Sequence, residues 1–401
     1  MEKVTQNTEF IIGIDFGSSE TSAAFYDLRN HDKCDLDILP GIKVIKSAVA
    51  ELEKEGKVTI CVGDAAIQNA PYSKNFQIGF RKRPSEMNLS ERNRMVAFMH
   101  GVYISILKLH PAFASRSHVI YIAGPSSDLV FEKEEKEYLK MAENAGLPVA
   151  GIIKRYCAAI FRAATQPNSK IGRQNGTLLV DYGANTIDFA YFNGSLSKPI
   201  YYGSPLGASA IERILLKYAM ENPSDAYMSD FAKLYGNDED SAPYQGLLYK
   251  FRLEKETFYR NEHKGFKLVL DYVDLTLSGS TQIEGLGRIV IPKEKIDEIL
   301  GLNNRDGYIG QIKEYVRFFK NNILVDNKVE GVYLIGGASR MDFVRRIFME
   351  VFNLDASHCV IDDNPSVISQ GVVRLAYARY ANETNPYYSQ YLNTLYEYAR
   401  D

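Results

Sequence analysis

Asp15-Phe16-Gly17-Ser18-Ser19 lies between two apolar, β-rich runs, FIIGID and ETSAAFYDL. A glycine in such a turn lets backbone approach an anion closely, and consecutive amide N–H groups with two hydroxyls can hold phosphate oxygens. The strand-end carboxylate of Asp15 can hold a hydrated divalent cation without touching the phosphate itself. Taken alone the pattern is weak, and these residues better suit an ordinary hairpin turn with a solvated aspartate. Asp181-Tyr182-Gly183-Ala184-Asn185-Thr186-Ile187-Asp188 repeats the device 166 residues further on (181 − 15) and adds a hydroxyl and a second carboxylate. Two such turns facing each other would grip a polyphosphate chain from both sides, with a metal ion between Asp15 and Asp181. A third segment, Leu334-Ile335-Gly336-Gly337-Ala338-Ser339-Arg340, sets a Gly-Gly turn between a strand and a helix. A flat ring could lie against that backbone with Arg340 stacking on or bonding to it. The plainer alternative is a strand–helix turn with a capping serine.

The elements that must position these turns recur as well. FIIGID–FGSS–ETSAAFYDL and TLLVD–YGAN–TIDFAYFN are each a strand, a turn and a partner strand. VIYIAGPSS (119–127) and VYLIGGASR (332–340) are each an apolar strand entering a glycine turn before a helix. Phe343, Val344, Ile347, Phe348 and Val351 share one face of the second helix. The fold class is therefore α/β, with two related halves, each a hairpin followed by strand–turn–helix. Between these motifs, 44–91 is expected to hold one or two strands, a short helix and the basic cluster Arg81-Lys82-Arg83. A helix over 90–109 has Ser90 as its expected N-cap. A charged amphipathic helix over 129–145 ends at Gly146. Residues 209–262 read as helical, 266–291 as strands and 366–381 as a final helix, before a Tyr-rich tail.

Composition narrows the function classes. The chain has 401 residues, enough to bury a sizeable core without staples, and 45% hydrophobic with 24% charged residues is ordinary for a globular protein. A net charge of −3, from 47 basic and 50 acidic residues, argues against a generally basic nucleic-acid binder. No apolar run reaches the ~18 residues of a membrane span, and MEKVTQNTEF lacks a signal peptide's apolar region, so a cytoplasmic protein is expected. Cys34, Cys61, Cys157 and Cys359 are scattered without metal-ligand spacing.

In this order and spacing the three turns resemble the actin-like ATPase superfamily of actin, sugar kinases and chaperone ATPases. Within it, the chain is most similar to the nucleotide-binding domain of DnaK-type (seventy-kilodalton heat-shock) chaperones. IGIDFGSS resembles that family's first phosphate motif, VGDAAIQNA its G-D-A-A helix start, and LLVDYGANTIDFAYF its second phosphate motif. LIGGASRMDFVRRIFME resembles its adenosine motif, and NPSVISQGVVRLA its closing helix. The likeness spans residues 9–382. It implies an actin-like fold with ATP or ADP and Mg²⁺ in a central cleft. Lobe I would be 1–178, with a reduced outer subdomain near 44–91. Lobe II would be 179–382, with an outer subdomain near 207–303, and 383–401 would be a tail.

The resemblance also implies roles. Asp15 and Asp181 would organise Mg²⁺ through water. Gly17, Ser18 and Ser19 would face Gly183, Ala184, Asn185 and Thr186 across the phosphates. Lys82, Asp188 and Asp181 would be catalytic, with Lys82 and Asp188 near the attacking water. Lys255, Gly337, Ala338 and Arg340 would contact the nucleoside. The chain departs from the family pattern at Lys154-Arg155-Tyr156, where the family has Asn-Glu-Pro, so that an acid has become a base. It departs again at Glu256, where an arginine is usual, and at Arg252, near a usual glutamate.

The favoured function is a chaperone-like ATPase that couples ATP binding and hydrolysis to cleft opening and closing, with a protein partner. The alternatives are an actin-like filament-forming ATPase and a non-catalytic nucleotide-sensing scaffold, the latter motivated by Arg155. After residue 382 only 19 residues remain (401 − 382), too few for a peptide-clamping domain, so none is expected.

Overall fold

The computed structural model describes residues 5, 7–80, 82–124, 128–164, 176–193, 199–223, 226–239, 241–260, 268–271 and 288–384. Arg81, residues 125–127, the stretch 272–287 and the Tyr-rich tail beyond 384 lie outside them.

Strand β1 (Phe10–Phe16) is buried at every position, Asp15 included, as suits a mostly apolar central strand. It turns back through Gly17–Ser19 into β2 (Glu20–Asp27), which also pairs with β3 (Lys33–Leu36) and β4 (Val44–Lys46). Next comes a small separate sheet of β5 (Ala48–Lys54), β6 (Lys57–Val62) and β7 (Asn75–Ile78). The region 44–91 thus carries more strands than the one or two expected. β8 (His118–Gly124) and β9 (Val149–Lys154) then return parallel beside β1, giving the order β3-β2-β1-β8-β9.

The second half repeats this plan. β10 (Thr177–Tyr182), β11 (Ile187–Phe192) and β12 (Ile200–Ser204) form the antiparallel part. β13 (Leu268–Asp271) and β14 (Arg288–Ile291) form a separate pair. β15 (Gly331–Ile335) and β16 (Cys359–Ile361) complete the order β12-β11-β10-β15-β16. Even the register repeats. Asp15 faces Ser22 and Asp181 faces Asp188, while Ile14 lies beside Ile122 and Val180 beside Leu334. The 166-residue offset read from the turns therefore holds across both hairpins.

Alternation along the central strands divides the core. Phe10, Ile12 and Ile14 point to a cluster under the helix Leu89–Leu109. Leu178, Val180 and Tyr182 point to a cluster with the helices Ser209–Glu221, Ala242–Arg260 and Asp342–Phe352. Ile11 and Ala24 of the first sheet and Leu179, Ala190 and Ile335 of the second join a third cluster, made with the helices Arg155–Ala164 and Val367–Thr384. These two helices lie together between the sheets and tie the halves. Their approach is close enough that a Cβ on Gly371 would sit 2.0 Å from the Ala158 carbonyl oxygen, so only glycine fits there. The final helix also lies on β1 and β2, and hence on the first half as well as the second.

The N-cap of Leu89–Leu109 is Asn88 rather than the expected Ser90. Asn88 Oδ1 accepts from the Glu91 amide at 2.9 Å and Glu91 Oε2 accepts from the Asn88 amide at 2.9 Å. This reciprocal capping box satisfies two otherwise orphaned donors, which a cap at Ser90 would not.

Candidate functional site

The three glycine turns converge on one cleft between the halves, of about 270 Å³. That is slightly below the ~300–1,000 Å³ of most small-molecule sites. Asp15, Gly17, Ser18 and Ser19 line it from the first half. Asp181, Gly183, Ala184, Lys255, Gly337, Ala338 and Arg340 line it from the second.

Local bonding fixes the turns. Gly17 is closed over so tightly that a Cβ there would lie 2.3 Å from the Glu20 carbonyl oxygen. Ser47 holds the turn from behind, donating Oγ to the Gly17 carbonyl at 2.6 Å and its amide to Ser19 O at 3.0 Å. In the second turn the Gly183 amide donates to Thr186 O at 3.0 Å, and the amides of Ala208 and Ser209 hold the Gly183 and Ala184 carbonyls. Gly336 has φ +85°, and a Cβ there would meet Tyr182 O at 2.4 Å. Glycine is thus required for the Gly336–Gly337 turn to pass behind Asp181.

The cleft's central feature is Arg155, the first residue of the helix that follows β9. Its Nη1 donates to Asp15 Oδ1 and its Nε to Asp181 Oδ2 at 3.1 Å. One guanidinium therefore bridges the two carboxylates at the ends of the two equivalent strands. The Asp15 and Asp181 side chains are 9% exposed and that of Arg155 27%. Burial pushes the Asp15 carboxyl up from its ordinary value, Arg155 opposes this and the Asp181 charge adds to it. Burial also works against the charge of Arg155, but Asp15 and Asp181 outweigh it and raise its pKa, so it stays cationic.

Around this bridge the cleft walls are ion-paired. Lys255, on the helix Ala242–Arg260, donates to Glu212 Oε2 at 2.6 Å and to Ala208 O at 3.1 Å, and is buried. Arg252 and Glu256 bond each other at 2.9 Å. Both also cross to the first half: Glu256 to Lys46 at 2.9 Å and Arg252 Nη2 to Ser19 O at 3.3 Å. Lys46 bonds Glu20 at 2.8 Å as well. Burial would raise the Glu256 carboxyl, but Arg252 and Lys46 hold it down to about 2. Lys46, Arg155, Arg252, Lys255, Arg260 and Arg340 face Asp15, Glu20, Asp181, Glu212, Glu256 and Asp362, so the lining is charge-balanced.

Four of the residues expected at the site are elsewhere. Lys82 is not in the cleft lining; its side chain is 54% exposed and its ammonium pairs with Glu91 at 2.7 Å. Asp188 lies one strand back, where Thr186 Oγ1 donates to it at 2.7 Å and the Tyr201 hydroxyl donates to its other oxygen. Burial raises the Asp188 carboxyl while those two donors lower it. Thr186 is thereby turned away, toward Asp188. Asn185 faces a smaller recess beside Ser18 and Ser19 and donates weakly to Phe80 O at 3.4 Å.

Sequence reasoning missed Lys46, Glu212, Tyr201 and the bridging direction of Arg155. Glu212 and Lys255 are 43 residues apart (255 − 212) and meet only through the contact of two helices. Tyr201 reaches Asp188 because β12 pairs beside β11 and Gly203 leaves the space.

The chain matches no protein-family model and no curated protein.

A hydrated Mg²⁺ between Asp15 and Asp181, as the resemblance implies, does not fit this arrangement. The facing oxygens of both carboxylates already accept from one cation, Arg155. Among the described residues no group of three or more His, Cys, Asp or Glu side chains is placed to hold a metal ion. Nor, among them, is any helix long and apolar enough to cross a membrane.

Proposed function

We propose that this chain has an actin-like, two-lobed fold that binds a nucleoside di- or triphosphate in the cleft and uses it to hold the lobes together. It works as a nucleotide-responsive scaffold rather than a fast ATPase. The observation that carries this reading is the convergence of three turns on one cavity: Gly17–Ser19, 183–184 and Gly336–Gly337. Two of them end strands at equivalent register in sheets of the same strand order. A phosphate chain lying between the first two turns would be held by amide N–H groups and the Ser18 and Ser19 hydroxyls. The ring would lie on the Gly337 backbone beside Arg340, whose Nη2 donates to Asp363 O at 2.6 Å and is thus already oriented.

Three features favour binding over hydrolysis. Lys82 is outside the cleft, the Asp188 carboxylate is occupied by Thr186 and Tyr201, and Arg155 stands where an acid is usual in the family. A missing general base removes about 10²–10⁴ in rate. The Lys46–Glu256 and Arg252–Ser19 contacts join cleft-lining residues of the two halves and would supply the coupling. A ligand between the turns would favour the closed arrangement that makes them. The test is calorimetric titration with ATP and ADP beside single-turnover phosphate release. Saturable binding with hydrolysis slower than nucleotide exchange is expected. Rapid multiple turnover would overturn the scaffold reading in favour of the chaperone-like ATPase.

A further inference from the structure

We infer that Arg155 takes the place of a divalent cation in this cleft, so that the site binds its nucleoside polyphosphate free of metal. This rests on the nucleotide reading above and specifies the form of the ligand.

The position is defined by the two hairpins. Asp15 and Asp181 occupy the same place in β1 and β10, and their carboxylates face one another across the cleft floor. Two nearly buried carboxylates repel unless one is protonated or a cation bridges them. Arg155 does this from the start of its helix, through Nη1 and Nε. A guanidinium is planar with five N–H donors in a fixed fork. Nε and Nη1 are turned to the carboxylates, and Arg155 itself lines the cleft. An arginine so placed keeps further N–H donors that a phosphate oxygen can accept from, and its charge does not depend on pH. Lys154 and Tyr156 on either side are buried, so the backbone holding Arg155 is fixed. The cation therefore belongs to the chain and is present before the ligand arrives. A metal–nucleotide complex would have to displace it or meet it as a like charge.

The experiment is calorimetric titration of the full chain with ATP and ADP, once in excess EDTA and once in millimolar Mg²⁺. For the parent chain the two affinities should agree within about threefold, less than the tenfold that 1.4 kcal/mol represents. Arg155→Gln should bind about 10- to 100-fold more weakly in EDTA, the scale of a lost charge-assisted hydrogen bond. In that variant Mg²⁺ should recover part of the loss, because both carboxylates are then free. Parent binding that needs Mg²⁺ by tenfold or more would overturn this inference and leave the nucleotide reading standing. No binding of either nucleotide under either condition would overturn both. The parent comparison decides the matter even where the variant fails to fold.

Discussion

Removing Arg155 should destabilise the chain in a way that grows with pH. In Arg155→Ala, Asp15 and Asp181 face each other without their shared partner, both only 9% exposed. Breaking a buried pair by deleting one partner costs about 3–5 kcal/mol, and the 27% exposure of Arg155 sets the low end, ~3 kcal/mol. For 401 residues melting as one unit, an unfolding entropy of ~2.1 cal/mol/K per residue sums to about 0.8 kcal/mol/K. The melting temperature should then fall by ~4 °C near neutral pH. The sign of the pH dependence follows from Asp15. Its folded pKa is raised, chiefly by burial, so the folded state binds the proton more tightly than the unfolded chain. Its contribution is favourable below the ordinary carboxylate value and is lost as pH rises through the folded pKa. Arg155 pulls that pKa down, so its removal pushes it further up and carries the loss to higher pH. Scanning calorimetry of parent and variant at pH 5 and pH 8 should show the larger gap at pH 8. Equal melting at both values, or a larger gap at pH 5, would refute the bridging role.

Other consequences can be checked singly. Lys255→Met leaves Glu212 buried without its cation and should cost about 3–5 kcal/mol, while adding Glu212→Gln should restore most of it in a double-mutant cycle. Lys46→Met removes a contact across the cleft, and exchange of the Ser47 and Phe80 amides, which donate to Ser19 O and Ser18 O, should speed by about tenfold, equivalent to ~1.4 kcal/mol. Because Arg252 and Lys46 hold Glu256 at about 2 against its burial, that network should persist down to the ordinary carboxylate range and fail only as pH falls toward 2. Lys82→Ala should change nucleotide affinity by less than about twofold, since an exposed ion pair with Glu91 contributes ~0–1 kcal/mol and lies outside the cleft.

What could be read in advance was whatever the chain writes locally. The Asp-x-Gly turns, the apolar strands before them and the one-face spacing in Asp342–Phe352 are short-range patterns, and their repetition carried the two-half plan. The capping box at Asn88 was equally local, since Asn88 precedes Glu91 by three residues, and Ser90 was a misreading of a signal that was present. Non-local partnerships were not legible. The basic residue at position 155 was visible, but not that its side chain would reach two strands 26 and 140 residues away. Lys82 was placed by family spacing. The short 3₁₀ turn Pro84–Glu86 and the start of the following helix instead bring Glu91 within reach of it. β5 was overlooked because its run AVAELEK lacks an apolar alternation over its second half, which is half-buried or exposed although the strand is the central one of its sheet.

The central claim is that a nucleotide ring and its phosphates occupy the cleft between the two sheets, and Gly337 offers the most direct test. It lines the cleft, and a Cβ built on it meets nothing within 4 Å, so Gly337→Val should fold like the parent while filling the space the ring would need. Titration of both proteins with ADP should show saturable one-to-one binding for the parent and none for the variant, at matched melting temperatures. Undiminished binding by Gly337→Val, or no binding by the parent, would contradict the account.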